Sequence, residues 1–125
     1  MGLDIWFDKI DKNIYNNRKK IEQKLKEDKE LLDAFRSMTT LENYSTECAY
    51  FRNAWSLIGA LELENCVNKS ISKEDLLNAI DYYNDDEIRE EIKEEENVEY
   101  IQQKLQNIVN TLNFDMYVLN VHAWW

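Results

Sequence analysis

The sequence predicts a single α+β domain over residues 1–125. We expect it to be mostly α-helical, with about four helices packed against a small sheet formed by the N- and C-terminal strands. Three observations support this prediction. The chain has no proline and only two glycines, so few residues interrupt a helix. Apolar residues recur at helical spacing through the middle of the chain, whereas both ends show the alternation typical of strands. With 44% hydrophobic and 32% charged residues, the composition is that of a folded domain.

The pattern of residues in the N-terminal half predicts one strand and two helices. Apolar residues alternate with polar ones over residues 3–10, which indicates a first strand. Asn13 is a suitable cap for a first helix that reaches about residue 38. A polar turn follows over residues 39–44. A second helix is predicted over residues 45–64, because large apolar side chains recur there every three or four residues.

The C-terminal half predicts two further helices and a strand. Ser72 marks the start of the third helix, because Asp75 three residues later completes a capping box. A fourth helix is predicted over residues 86–112, with a bend at Asn97. Residues 113–125 alternate again, so we expect them to form a strand that pairs with the N-terminal strand.

The strongest functional signal is the acidic segment of residues 85–99. Nine of its fifteen residues are acidic and two are basic, so it carries seven of the ten net negative charges. On a helix, residues four apart are neighbours, roughly 5–6 Å between Cβ atoms, and phosphates in duplex nucleic acid are spaced on a similar scale. The predicted partner-binding residues form two such rows: Asp86, Glu90 and Glu94 in one, and Glu87, Glu91 and Glu95 in the other. We therefore expect a phosphate-like ridge that binds a basic protein surface. The alternative is a solvated face that only keeps a small protein soluble.

Trp124 and Trp125 are the second candidate for partner contacts. Chain termini are usually exposed, so two terminal tryptophans either dock on their own domain or form a contact patch for a partner. Docking is favoured because a free tail would leave a large apolar area in water. The alternative is a homodimer in which the pair contacts a second copy of the chain.

Charge and composition argue against other kinds of protein. Direct binding of nucleic acid depends on Lys and Arg, and this chain has a net charge of −10. No run of eighteen apolar residues predicts a membrane span, and the N-terminus lacks the features of a secretory signal. Cys48 and Cys66 are predicted to be reduced thiols in the core. We therefore expect a cytoplasmic protein.

Residues suited to catalysis or metal binding are few. His122 is the only histidine and could pair with either cysteine, but a structural role in the terminal strand is favoured. The oxygen-rich residues 81–86 lack the central glycine of an EF-hand loop. No glycine-rich phosphate loop or nucleophile elbow is present in the sequence. We predict that the protein is not an enzyme and has no metal site and no cofactor.

Three short segments resemble a family of small phage-encoded proteins that begin MGLD. They are residues 1–7 (MGLDIWF), 50–54 (YFRNA) and 70–76 (SISKEDL). Residues 55–58 (WSLI) depart from the family, whose continuation there contains a histidine. The resemblance implies a phage or prophage origin and carries no catalytic role. A small acidic phage protein without an evident active site also resembles, in a general way, inhibitors of host defence such as anti-CRISPR proteins.

These observations lead to three expectations about function. The leading one is a phage protein that binds and inhibits a host nucleic-acid-handling complex, such as a CRISPR-like defence complex, with the acidic helix as a phosphate mimic. An immunity protein or antitoxin would use the same residues to cap a basic toxin. A phage accessory protein would assemble through its terminal tryptophans, and its acidity would serve only solvation.

Overall fold

The computed structural model describes residues 2–25, 30 and 45–125 of the chain. These residues contain four β-strands and five α-helices. In chain order the elements are β1 (Asp4–Asp11), α1 (Lys12–Leu25), β2 (Ser45–Arg52), α2 (Trp55–Ala60), β3 (Asn68–Ile71), α3 (Lys73–Tyr82), α4 (Asp86–Ile92), α5 (Val98–Thr111) and β4 (Tyr117–Trp124).

The four strands form one antiparallel sheet in the order β2-β1-β4-β3. The two terminal strands, β1 and β4, lie at its centre and pair from Asp4 opposite Trp124 to Asp11 opposite Tyr117. The strands from the middle of the chain, β2 and β3, form the two edges. The register between β1 and β2 shifts by one residue after Phe7, which marks a β-bulge.

The predicted fold, mostly helical with a sheet made only of the terminal strands, is wrong. Two further strands come from the interior of the chain, and the larger of them, β2, replaces the start of the predicted helix over residues 45–64. In β2, Ala49 and Phe51 are buried whereas Tyr50 is exposed, so the side chains alternate with the period of a strand. The helix begins only at Trp55.

One face of the sheet and helices α2, α3 and α5 enclose the core. α5 turns Val98, Ile101, Leu105 and Ile108 inward, a spacing of three or four residues that keeps one helical face apolar. The fully buried large side chains of this core are Leu3, Ile5, Phe7, Leu57, Leu76, Tyr83, Leu105, Leu119 and Val121.

Side-chain caps define the starts of α3 and α5. The predicted capping box of α3 is confirmed, because Asp75 N donates to Ser72 Oγ and Ser72 N donates to Asp75 Oδ2, both at 3.0 Å. At α5, Asn97 Oδ1 accepts from Tyr100 N at 3.1 Å. Asn97 therefore begins a new helix, and the single helix predicted over residues 86–112 is wrong.

The helix α1 follows β1 directly. Asp11 Oδ1 accepts from Asn13 N at 2.9 Å and from Ile14 N at 3.2 Å, so Asp11 makes the contacts that the sequence assigns to Asn13 as a cap. The rest of the predicted first helix, together with the predicted turn over residues 39–44, lies outside the described residues. Within the described part of the chain, no helix combines the length and apolar character needed to cross a bilayer.

Glu62, which follows α2, has a left-handed backbone with φ 53°. A side chain at such a position crowds the following carbonyl, and glycine does not. We expect Glu62→Gly to raise the free energy of unfolding by about 1 kcal/mol, measured by urea denaturation. Glu64→Gly, at an exposed position without positive φ, is the control and should lower stability. Equal losses in both variants would contradict the expected relief of strain.

Candidate partner-binding surface

The acidic segment begins with the short helix α4. Asp85 caps it, because Asp85 Oδ1 accepts from Glu87 N at 2.8 Å and from Ile88 N at 3.3 Å. The first turn also carries Asp86, and negative side chains there interact favourably with the positive end of the helix dipole. Acidic residues therefore lie at the end of α4 where negative charge is most favourable.

The predicted rows of carboxylates do not continue as one helical ridge. On α4 lie the first two residues of each row: Asp86, Glu90, Glu87 and Glu91. The third residues, Glu94 and Glu95, lie beyond Ile92, where the helix ends, in the turn that leads to α5. The expectation of two straight rows of three is therefore wrong, although all six side chains are exposed.

Together these six carboxylates form what we call the acidic surface. Part of it borders an open cleft of about 840 Å³ between α4 and the start of α5. Six acidic and two basic side chains line this cleft. The short helix and the turn therefore arrange four of the six carboxylates around a concave surface.

Arg89 is the one basic residue of α4, and its guanidinium is used within the fold. Arg89 Nη1 donates to Tyr83 O at 3.1 Å and to Gln102 Oε1 at 2.7 Å, and Nη2 donates to Glu99 Oε1 at 2.8 Å. These bonds connect α4 to the end of α3 and to α5. Arg89 therefore does not pair with any of the six carboxylates.

Lys93 forms a single ion pair with a carboxylate of the acidic surface. Lys93 Nζ lies 2.7 Å from Glu90 Oε1, and both side chains are more than half exposed. Such a pair contributes little to stability. Among the described residues, the other five carboxylates of the acidic surface make no ion pair.

Glu96, the next residue of the turn, is held within the fold. Glu96 Oε1 accepts from Ser56 Oγ at 2.7 Å and from Ser56 N at 3.3 Å. Ser56 Oγ also lies 2.6 Å from Tyr83 Oη, and burial raises the pKa of this phenol far above its ordinary value. The N-cap residue of α2, Ala54, makes no side-chain hydrogen bond to the helix. Glu96 instead accepts a hydrogen bond from Ser56 N, one of the first N–H groups of α2.

The two terminal tryptophans differ in their surroundings. Trp124 is 55% exposed. Trp125 is mostly buried, with its ring 6.1 Å from the ring of Trp55 in an edge-to-face contact. Asn65 holds the backbone there, since Trp125 N donates to Asn65 Oδ1 and Asn65 Nδ2 donates to Trp125 O, both at 3.0 Å. Trp125 thus docks on its own domain and Trp124 lies on the surface.

This difference predicts different effects of the two tryptophans on stability. Trp125→Ala should lower the free energy of unfolding by about 1–2 kcal/mol, because most of this aromatic side chain is buried. Trp124→Ala, the matched control, should lower it by less, because more than half of that residue is already exposed. Thermal unfolding of both variants over a hundredfold range of protein concentration checks this. A loss that grows with concentration for Trp125→Ala would instead indicate a dimer contact.

The contacts of His122 and the two thiols do not assemble a nucleophile–base pair. The His122 ring lies 6.0 Å from the Trp6 ring, and His122 Nδ1 is buried without a hydrogen-bond partner. The Cys48 thiol donates to Thr46 O, and burial raises its pKa, which disfavours the thiolate. Cys66 is exposed, so the prediction that both cysteines lie in the core is wrong.

A smaller groove is a feature that the sequence analysis missed. It measures about 320 Å³ and lies between the end of β2, residues 50–54, and the start of α5, residues 95–101. The Phe51 and Tyr100 rings meet in it at 6.0 Å, edge to face. A helix predicted over residues 45–64 hides this groove, because one of its walls is the strand β2.

The comparisons with known proteins add no relative. No protein-family model matches the chain, and neither the curated proteins nor the solved structures provide a match. The resemblance to small phage proteins therefore stays a prediction.

Over the described ranges, no three His, Cys, Asp or Glu side chains are grouped so that they could hold a metal ion.

Proposed function

We propose that this chain is a non-enzymatic inhibitor that binds a basic surface of a nucleic-acid-handling protein complex. In this proposal the acidic surface occupies the place of nucleic-acid phosphates. One observation carries it: five of the six carboxylates are exposed and make no ion pair among the described residues, and three of these five, Asp86, Glu94 and Glu95, line a concave cleft. Such a surface attracts a basic partner over a distance.

The repulsion between neighbouring carboxylates on α4 supports a role for the acidic surface beyond solubility. On α4, Asp86 lies four residues before Glu90 and Glu87 four before Glu91. Each such like-charged pair destabilises a helix by a few tenths of a kcal/mol. Only Lys93 offsets this on the surface, since Arg89 is engaged with α3 and α5. A helix built for stability alone would carry more lysines between these glutamates, which would remove the repulsion.

The broader setting of the proposal follows from the resemblance to phage proteins. A phage-encoded inhibitor would act in the cytoplasm of the host cell, where a CRISPR-like defence complex presents basic channels for guide and target strands. The net charge of −10 favours such a protein partner over nucleic acid itself.

Affinity capture from a host lysate tests the proposal. The wild-type protein should retain a partner that binds nucleic acid, and added duplex DNA should release that partner by competition. Retention should fall as salt is raised, because the Debye length shrinks from ~10 Å at 0.1 M to ~3 Å at 1 M. A captured toxin that binds no nucleic acid would favour the immunity alternative. A partner that binds DNA and this protein simultaneously would contradict phosphate mimicry.

A further inference from the structure

The edge strand β2 presents backbone groups to the groove described above. Asn53 N donates to Leu3 O at 2.7 Å, which directs the backbone of Asn53 towards β1. Along an antiparallel strand the direction alternates, so Phe51 also faces β1, and the N–H and C=O groups of Tyr50 and Arg52 face away from it. In the described part of the sheet, no strand lies beyond β2. Such an edge can pair with another strand.

The groove beside this edge is apolar at its floor. Phe51 is 3% exposed and Tyr100 is 44% exposed, and their rings are in contact. Its volume of about 320 Å³ is at the low end of the range for ligand pockets, about 300–1,000 Å³. This room suits one or two side chains of an extended peptide better than a whole small molecule. In strand addition, main-chain hydrogen bonds supply affinity and such pockets supply specificity.

The charge of the groove favours a basic side chain. Glu95 and Glu96 line it, with Arg52 opposite. Arg52 pairs with Asp4 at 3.3 Å, and Glu96 accepts two bonds from Ser56. Glu95 is exposed and makes no ion pair within the described ranges, so its carboxylate dominates the charge that a peptide in the groove meets.

We propose that β2 and this groove bind an extended segment of the partner protein as an additional strand. The backbone of the segment pairs with Tyr50 and Arg52, an apolar side chain of the segment lies on Phe51 and Tyr100, and a Lys or Arg faces Glu95. This inference rests on the proposed function, because Glu95 belongs to the acidic surface and continues it into the groove. The partner is thus a basic protein with an exposed or disordered strand-forming segment.

Two variants at one position separate strand addition from simple charge attraction. Arg52→Pro removes the N–H that faces the free edge and none of those that pair with β1, and proline is tolerated at such edge positions. Arg52→Ala loses the same side chain but retains the N–H. Comparison of the two isolates one backbone hydrogen bond. Circular dichroism and thermal unfolding establish that both variants are folded.

The probe is a fluorescent octapeptide of alternating valine and lysine, titrated by anisotropy. The wild type should bind it, and Arg52→Pro should bind it about tenfold more weakly than Arg52→Ala. The same peptide N-methylated on alternate backbone nitrogens should lose affinity for the wild type by a similar factor. This second comparison keeps the test valid if Arg52→Pro does not fold.

Each outcome decides for or against strand addition. Strand addition would be overturned if the wild type did not bind the peptide at 1 mM. It would also be overturned if both Arg52 variants bound the peptide equally and the wild type bound the N-methylated peptide as tightly as the unmodified one. Peptide binding that depends on Glu95 but not on the backbone would overturn it too, and would leave the proposed function standing. Backbone-dependent peptide binding without capture of a nucleic-acid-binding partner would instead contradict the proposed function alone.

Discussion

Reversal of four glutamates on the acidic surface should abolish capture of the partner and leave the fold intact. The changes are Glu90→Lys, Glu91→Lys, Glu94→Lys and Glu95→Lys. Each reversal adds two positive charges, so four of them take the net charge from −10 to −2. The fold should tolerate them because all four side chains are exposed and only Glu90 has an ion pair among the described residues, which is itself exposed. Binding should fail because the attraction to a basic surface becomes repulsion.

A charge-matched control separates the site from the net charge. Four exposed acidic residues away from the acidic surface and from β2 are reversed to lysine instead: Glu62, Glu64, Glu74 and Asp115. This control has the same net charge and should still capture the partner, at most several-fold more weakly. Capture is compared by quantitative mass spectrometry, and thermal unfolding verifies both proteins. If the two variants lose the partner equally, the acidic surface is only a solvated face and the proposed function is wrong.

Local capping signals were sufficient to locate some elements from the sequence. Ser72 and Asp75 predict the start of α3 correctly because a capping box involves only residues three apart. Asn97 shows the limit of the same signal. It marks the correct position, but a bend in one helix and a cap between two look alike when only apolar spacing is considered. That difference decides whether Glu94 and Glu95 extend a helical row or lie in a turn.

The region of residues 45–64 was not predictable by the same means. Phe51 and Trp55 are spaced like residues on one helical face, yet Phe51 belongs to a strand and Trp55 to the helix after it. The break between them is Asn53, whose left-handed φ of 57° replaces the glycine or proline that would mark it in the sequence. The pairing of β2 with β1 is a tertiary effect, which overrides local spacing.

Tyr83→Ala should be the most destabilising of the substitutions considered. Tyr83 is fully buried at the end of α3, and its ring lies 5.2 Å from the ring of Tyr82. Truncation of a buried aromatic side chain costs about 3–5 kcal/mol, a large share of the roughly 5–15 kcal/mol that stabilises a typical domain. Urea denaturation monitored by tryptophan fluorescence should show this loss as a lower midpoint.

Tyr83→Phe is the matched control, because it retains the ring and removes only the hydroxyl. It should cost about 0.5–1.5 kcal/mol, the contribution of one hydrogen bond. Ser56 Oγ keeps its bond to Glu96 in this variant, so the turn that carries Glu94 and Glu95 should stay attached to α2. In Tyr83→Ala the cavity lies beneath that attachment, and amides of residues 93–97 should exchange with solvent faster than in the wild type. Equal losses of stability in both variants would show that the hydroxyl, not the packing of the ring, links the acidic surface to the core.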